Sequence, residues 1–301
     1  MELTILGCGS ALPTFKRAHS AQILRFDQEN ILIDCGEGTQ MKIKQYGVKM
    51  QQISTILISH LHGDHYYGLA GVISTMHLLG RVSPLTVYGP KELEQLILLG
   101  LEISYTKLRF LLTFIPTNPK QGEVILDHKK FTITSFPLKH KIDTTGFVFR
   151  EKPKPASMRG ELIAFYEIPH YEINNIKAGA DFVTEAGDLI KHETLTMPAP
   201  APKSYAYCSD TRYYEAIVPW IKEVDVLYHE ATFLDNLAQR AKETLHSTAK
   251  QAAAIASLAQ VKQLILGHFS ARYDDVSDFK NEALAVFDQV TLAEDGLMVK
   301  I

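Results

Sequence analysis

Apolar residues recur along this chain with two distinct periods. Short β-rich runs stand at LTIL (3–6), AQILRF (21–26), ILID (31–34), ISTILIS (53–59) and PLTVYG (84–89), each bounded by turn signals or helical patterns. Between them, apolar residues three and four apart predict helices from Gly38 to Tyr46, from Tyr66 to Leu79 with Gly80 as the stop, and from Lys91 to about Tyr105. The second half repeats the mixture, with strands near 131–136, 144–150, 205–208, 224–228 and 262–266 and helices near 213–222, 230–243, 247–259 and 277–287. Two similar halves predict two packed sheets. Helices over both outer faces then give an α/β fold of four layers, an αββα sandwich forming one domain over 1–301. Residues 151–203 break the pattern: proline clusters at both ends enclose mixed polar and aromatic sequence, which reads as an arm inserted between core strands.

Composition narrows the class. Of 301 residues 46% are hydrophobic and 22% charged, which excludes disorder, collagen and disulfide scaffolds. A chain of this length buries roughly three quarters of its unfolded surface, so it needs no cross-links. Cys8, Cys35 and Cys208 are odd in number and form no Cys-x-x-Cys pair, which favours a reducing compartment, the cytoplasm by default. The first apolar run has no basic leader, and no stretch reaches the roughly 18 to 20 apolar residues of a membrane span, so neither a targeting segment nor a membrane partner is expected. With 31 Lys+Arg against 34 Asp+Glu the net charge is −3, and any RNA or DNA must be gripped locally rather than by bulk charge. The count that stands out is 12 histidines.

Four potential ligands fall within His60-Leu61-His62-Gly63-Asp64-His65, between the apolar run ISTILIS and a helical pattern. On an extended segment residues two apart point the same way, so His60 and His62 can present imidazoles to one metal while Leu61 faces the core. The chain turns at Gly63, so Asp64 and His65 can address a second metal about 3.5–4 Å away. Imidazole and carboxylate ligands favour zinc, with manganese or iron as alternatives.

This motif resembles that of the metallo-β-lactamase superfamily, whose members share the αββα sandwich and complete their site with His, Asp and His at later strand ends. Here those are His140 in SFPLKH, Asp210 in YCSDTR and His268 in LILGHFS. The resemblance implies one metal held by His60, His62, His140 and Asp210 and another by Asp64, His65, Asp210 and His268, with Asp210 bridging and a hydroxide between the metals as nucleophile. Six stretches, ILIDCGEGTQ, SHLHGDHYYGL, SDTR, YHEATF, HSTA and GHFSARY, span nearly the whole chain and resemble the ribonuclease Z family, zinc-dependent endonucleases that trim the 3′ end of precursor tRNA. That resemblance implies a precursor tRNA substrate, two zinc ions per subunit and a homodimer.

Phosphodiester hydrolysis needs an activated water, positive charge for the developing phosphorane and a proton for the leaving oxygen. The metals meet the first two needs. Asp64 is placed to orient the hydroxide and take its proton, as the family implies, and Glu230 with His246 reads as the carboxylate-imidazole pair that serves the leaving oxygen. His229 reads as structural. Alternatively, His246 merely adjoins a helix cap at Ser247 and Thr248. Asp34, by resemblance, orients a ligand imidazole from behind, or else opens an Asx turn. Lys16, Arg17, Ser270 and Arg272 are candidate RNA phosphate contacts. His19, His77, His128, His170 and His192 read as structural or solvated.

Family members carry an arm that grips the tRNA elbow, and 151–203 occupies its place. Yet the segment has six cations against eight carboxylates, net −2, where a phosphate clamp should be basic. That mismatch motivates a competing function, a metallo-hydrolase of small phosphodiesters or esters on the same fold. A non-catalytic RNA-binding protein is a third class, disfavoured because every ligand and both members of the proton-transfer pair are present.

Overall fold

A computed structural model describes residues 1–301. Eighteen strands follow in chain order: β1 (Glu2–Gly7), β2 (Ala21–Phe26), β3 (Glu29–Cys35), β4 (Ile53–Leu57), β5 (Leu85–Gly89), β6 (Leu112–Pro116), β7 (Glu123–Asp127), β8 (Phe131–Pro137), β9 (Thr145–Glu151), β10 (Ser157–Met158), β11 (Phe182–Val183), β12 (Leu189–Ile190), β13 (Thr196–Met197), β14 (Ser204–Cys208), β15 (Val226–Glu230), β16 (Gln263–Gly267), β17 (Val290–Leu292) and β18 (Met298–Lys300). Two seven-stranded sheets contain most of them, ordered β18-β1-β2-β3-β4-β5-β6 and β17-β16-β15-β14-β9-β8-β7. No helix is long and apolar enough to cross a membrane.

Burial explains the layers. Helices Leu69–Leu78 and Glu92–Ile103 turn Leu69, Val72, Ile73 and Met76, and Leu93, Ile97 and Leu101, into one apolar cluster with Ile23, Leu32, Ile56 and Val87 of the first sheet. Burying such side chains contributes about 1.5–3 kcal/mol each. Helix Ala249–Leu258 buries a small-residue face, Ala249, Ala252, Ala253 and Ala256, over β15 and β16, and starts from a full capping box between Thr248 and Gln251. The inner faces of the sheets meet through buried tyrosines on alternate positions of β14: Tyr205 donates to Gln22 on β2, and Tyr207 donates to Asp34 on β3 at 2.7 Å. The αββα sandwich expected from the pattern is the observed architecture.

The chain divides into two compact units. One comprises 1–127, 132–149 and 203–301, and the other 128–131 and 150–202. The second has its own small core of Ile168, Ile176, Phe182 and Leu195, together with the two-stranded ribbons β10–β13 and β11–β12.

Three predicted helices come out differently. The helix expected over 66–79 is two, Gly63–Tyr66 and Leu69–Leu78, because Gly68 is pinned to the end of β3: its N–H donates to Cys35 at 2.9 Å, and a Cβ there would lie 2.1 Å from the Gly36 carbonyl oxygen. The helix expected near 213–222 shrinks to a turn at Glu215–Ile217 and helix Val218–Ile221, since Pro219 can start a helix but not sit inside one. The one expected near 230–243 begins only at Ala238, because Glu230 still belongs to β15.

Candidate metal centre and catalytic pocket

Parallel pairing sets the location. Cys208 pairs with His229 and Glu230 with Gly267, so β14, β15 and β16 end at one rim and hand over to Asp210, Glu230 and His268 side by side. The segment after β4 brings His60, His62, Asp64 and His65 to this rim, and the segment after β8 brings His140. Asp34 and His268 hold left-handed backbones, φ 53° and 60°, and so does Leu245 at φ 58°. Such conformations cost about 1–3 kcal/mol each and persist where the surroundings impose them.

The ligand atoms form two groups. His60 Nε2 and His140 Nε2 stand 3.1 and 3.2 Å from His62 Nδ1, and Asp210 Oδ2 lies 3.7 Å from the first and 3.6 Å from the second. In the other group His65 Nε2 lies 3.3 Å from Asp64 Oδ2, His268 Nε2 3.4 Å from the same oxygen, and Asp210 Oδ1 3.3 Å from His65 and 3.2 Å from His268. Asp210 thus turns one oxygen to each group.

Hydrogen bonds from behind fix the tautomers. His65 Nδ1 donates to Asp34 at 2.7 Å, His60 Nδ1 to Ser59 Oγ at 2.9 Å, His140 Nδ1 to the Leu245 carbonyl at 3.0 Å and His268 Nδ1 to Thr232 Oγ1 at 2.9 Å. Asp34 is itself held by Tyr207, by the Ser59 hydroxyl and by the Ser59 N–H. In its neutral form each of these rings therefore presents a free Nε2 lone pair to the rim. Lone pairs converge there without enough protons to share among them, and His65 Nε2 is buried with no hydrogen-bond partner. A cation satisfies this donor set, and imidazole with carboxylate is chemistry that divalent transition metals accept. Burial holds the His60, His62 and His140 pKa values below the usual imidazole range, which keeps their lone pairs free. At His65 burial works the same way, but the carboxylates of Asp210, Asp64 and Asp34 outweigh it and draw a proton, positive charge that a cation at the rim would supply in its place.

Beside this centre His246 Nδ1 donates to Glu230 Oε1 at 2.8 Å. Glu230 is buried and accepts in addition from Thr211 N–H, Thr232 N–H and Thr232 Oγ1, so its charge is well satisfied. Burial pulls the His246 pKa down, yet the Glu230 carboxylate outweighs it and lifts the value to about 9. The Nε2 of His246 is left for a ligand. His229 points elsewhere, its Nδ1 donating to the Glu230 carbonyl within the core.

A cavity of about 870 Å³ opens over both groups, lined by His62, Asp64, His140, Asp210, His246 and His268. Ser270 and Arg272 also line it. Arg17 has a different job: it is buried and its guanidinium donates to the Tyr273 carbonyl, while Lys16 beside it is exposed. His19, expected to be structural or solvated, is buried against the cavity with neither ring nitrogen bonded. Cys208 is a buried thiol whose pKa burial pushes up, and it joins neither ligand group. Sequence reasoning passed over exposed Lys141 and Arg240 on the cavity wall and Tyr207 beneath it. Only Tyr207 had a signal, the two-residue tyrosine spacing in SYAYC.

Comparison with known proteins follows the same outline. A family profile described as "Anti-Pycsar protein Apyc1" matches residues 1–155. That match ends before Asp210, Glu230, His246 and His268. A ribonuclease Z of Parabacteroides distasonis is 45% identical over 300 residues, covering 100% of this chain and 99% of that protein. The crystal structure of the short form of human tRNase Z superposes with a TM-score of 0.73 at 28% identity, covering 100% of this chain and 99% of that one. A metallo-β-lactamase fold protein from Bacillus subtilis, YhfI, gives 0.70 at 19% identity over 99% of both, a likeness of fold alone.

Proposed function

The chain belongs to the ribonuclease Z family and is an endoribonuclease; from that membership we propose that it removes the 3′ trailer of precursor tRNA, using two zinc ions and leaving a 3′-hydroxyl on the tRNA. The pair Glu230–His246, set beside the shared carboxylate of Asp210, supports this reading above all else. Metal binding alone does not require it, whereas expelling an alkoxide does. One zinc would be held by His60, His62, His140 and Asp210, the other by Asp64, His65, Asp210 and His268. When bound they would activate water as nucleophile and offset charge on the phosphate oxygens.

The residues do the rest. Asp64 orients the attacking water and takes its proton. As the bond from phosphorus to the leaving 3′ oxygen breaks, His246 supplies the proton through Nε2 while Glu230 holds Nδ1–H and stabilises the imidazolium. The trailer leaves with a 5′-phosphate. Lys141, Arg240 and Arg272 line the cavity without an acidic partner and are proposed, with Ser270 and Lys16, to hold neighbouring phosphates. The arm at 151–203 is proposed as an auxiliary tRNA contact of modest, salt-sensitive strength. A homodimer is proposed on the apolar surface that Leu78, Leu79, Val82, Leu99, Ile103 and Tyr105 leave exposed. Three buried free cysteines accord with work in the cytoplasm.

The test is to incubate zinc-loaded protein with a precursor tRNA bearing a 3′ trailer, beside a chelator-treated control, and to map both product ends. Chelator-sensitive cleavage next to the acceptor stem, leaving a 3′-hydroxyl, is expected. Intact precursor, with a small phosphodiester still hydrolysed, would overturn the substrate and keep the chemistry.

A further inference from the structure

Tyr66 and Tyr67 adjoin the ligand segment but have opposite fates. Tyr66 packs against the core of the first sheet, while Tyr67 leaves 65% of its surface exposed on the wall of the catalytic cavity. No hydrogen bond engages its hydroxyl, so a polar anchor does not explain the position. The ring is nevertheless held. It packs edge-to-face with Tyr66, 4.9 Å between centroids and 68° between planes. It also lies over Gly63, where a Cβ would come within 2.2–2.6 Å of its carbons. Gly63 thus serves a close approach, and the aromatic ring fills the space that any other residue would need.

An aromatic ring fixed on one side, open on the other, and four residues or fewer from His65, Asp64 and Gly63 costs little entropy to use. Bases carry π-faces of their own, and stacking on such rings is how single-stranded nucleic acid is held without reading its sequence. We propose that Tyr67 is a stacking platform for the nucleobase adjoining the scissile phosphate. This rests on the ribonuclease reading above and adds to it a binding residue that positions the strand at the cut. A flanking base stacked here fixes the phosphate over the ligand groups, and stacking does so whatever the base, since every base has a π-face.

The experiment is a mutant cycle on kcat/KM. Wild type, Tyr67→Ala and Tyr67→Phe are compared on a precursor tRNA, on the same precursor with an abasic residue 5′ of the cut, and on one with an abasic residue 3′ of it. Thermal melts and zinc content accompany the variants. On intact precursor Tyr67→Ala should lose roughly five- to a hundredfold, the range for one stacked base. Tyr67→Phe should restore most of it. On one of the abasic precursors the ratio of wild type to Tyr67→Ala should collapse toward one, which also identifies the stacked nucleotide. An equal loss on all three precursors, or none on the intact one, would overturn the platform and leave the ribonuclease intact. Failure of wild type to cut any precursor would instead bring down the reading on which the platform rests.

Discussion

The rim of the sandwich and the arm unit are built on opposite plans. At the rim, Asp34 accepts from Tyr207, His65 and two groups of Ser59, and Thr232 links Glu230 to His268, so that the groups behind the ligand atoms are buried and tied to one another. In the arm, four apolar side chains make the buried core, the Lys191–Asp181 pair is exposed, and Phe165, Tyr171, Val183 and Leu189 face solvent. Exposed ion pairs contribute about 0–1 kcal/mol, and a small core leaves local opening within easy reach. The rim's geometry is therefore over-determined, whereas the arm's surface can change at small cost.

The sharpest way to break this contrast is to remove the residue on which the rim depends most. Asp210→Ala takes the shared carboxylate from both ligand groups, so cleavage should fall below detection and zinc should drop to one ion per chain or fewer, measured by metal analysis of the purified variant. Asp64→Ala should abolish hydrolysis with the fold intact by circular dichroism. Two zinc ions and near-normal cleavage in Asp210→Ala would refute the bridging role.

A smaller effect tests whether over-determination extends to proton transfer. His246→Ala should slow cleavage by roughly a hundredfold or more, the usual share of a general acid. If Glu230 serves proton transfer through His246, Glu230→Gln combined with His246→Ala should be little slower than His246→Ala alone, the non-additivity of two residues that work as a unit. Rates that multiply across the double variant would assign Glu230 a separate task.

The same contrast governs what could be read from the sequence. Interior strands announced themselves: β2, β3, β4, β5, β8, β9, β14, β15 and β16 all correspond to apolar runs picked out at the start. Within the two large sheets the four strands that escaped notice, β6, β7, β17 and β18, are the four edge strands; the two-residue strands β10 to β13 of the arm are too short to carry a period at all. Edges are short and half exposed, with burial along β6 and β7 never complete, so they lack the periodicity that buried strands carry. The residues named as ligands do converge, since strand ends are legible from the strands before them. Arg17 was misjudged because its charge says nothing of where its side chain turns, and Lys141 and Arg240 were passed over because exposed cations carry no signal until the fold gathers them round a cavity.

The smallest expected effect lies in the arm, and it decides whether an acidic surface can still serve RNA. Ile176 is one of four buried apolar side chains there, and truncating such a residue costs about 2–5 kcal/mol, a large share of what so small a core can supply. Ile176→Ala should therefore loosen the unit, seen as lost hydrogen-exchange protection across 160–195, while every hydrogen bond at the rim is untouched. If the arm steadies tRNA through its few cations, KM for precursor tRNA rises several-fold with kcat within about twofold, the mark of lost uniform binding. The gap between variant and wild type should then close at higher salt, because salt removes from wild type the same contacts that the substitution removes. A loosened arm with KM unchanged at low salt would mean that the carboxylates prevail, and that the rim and its cavity hold the substrate unaided.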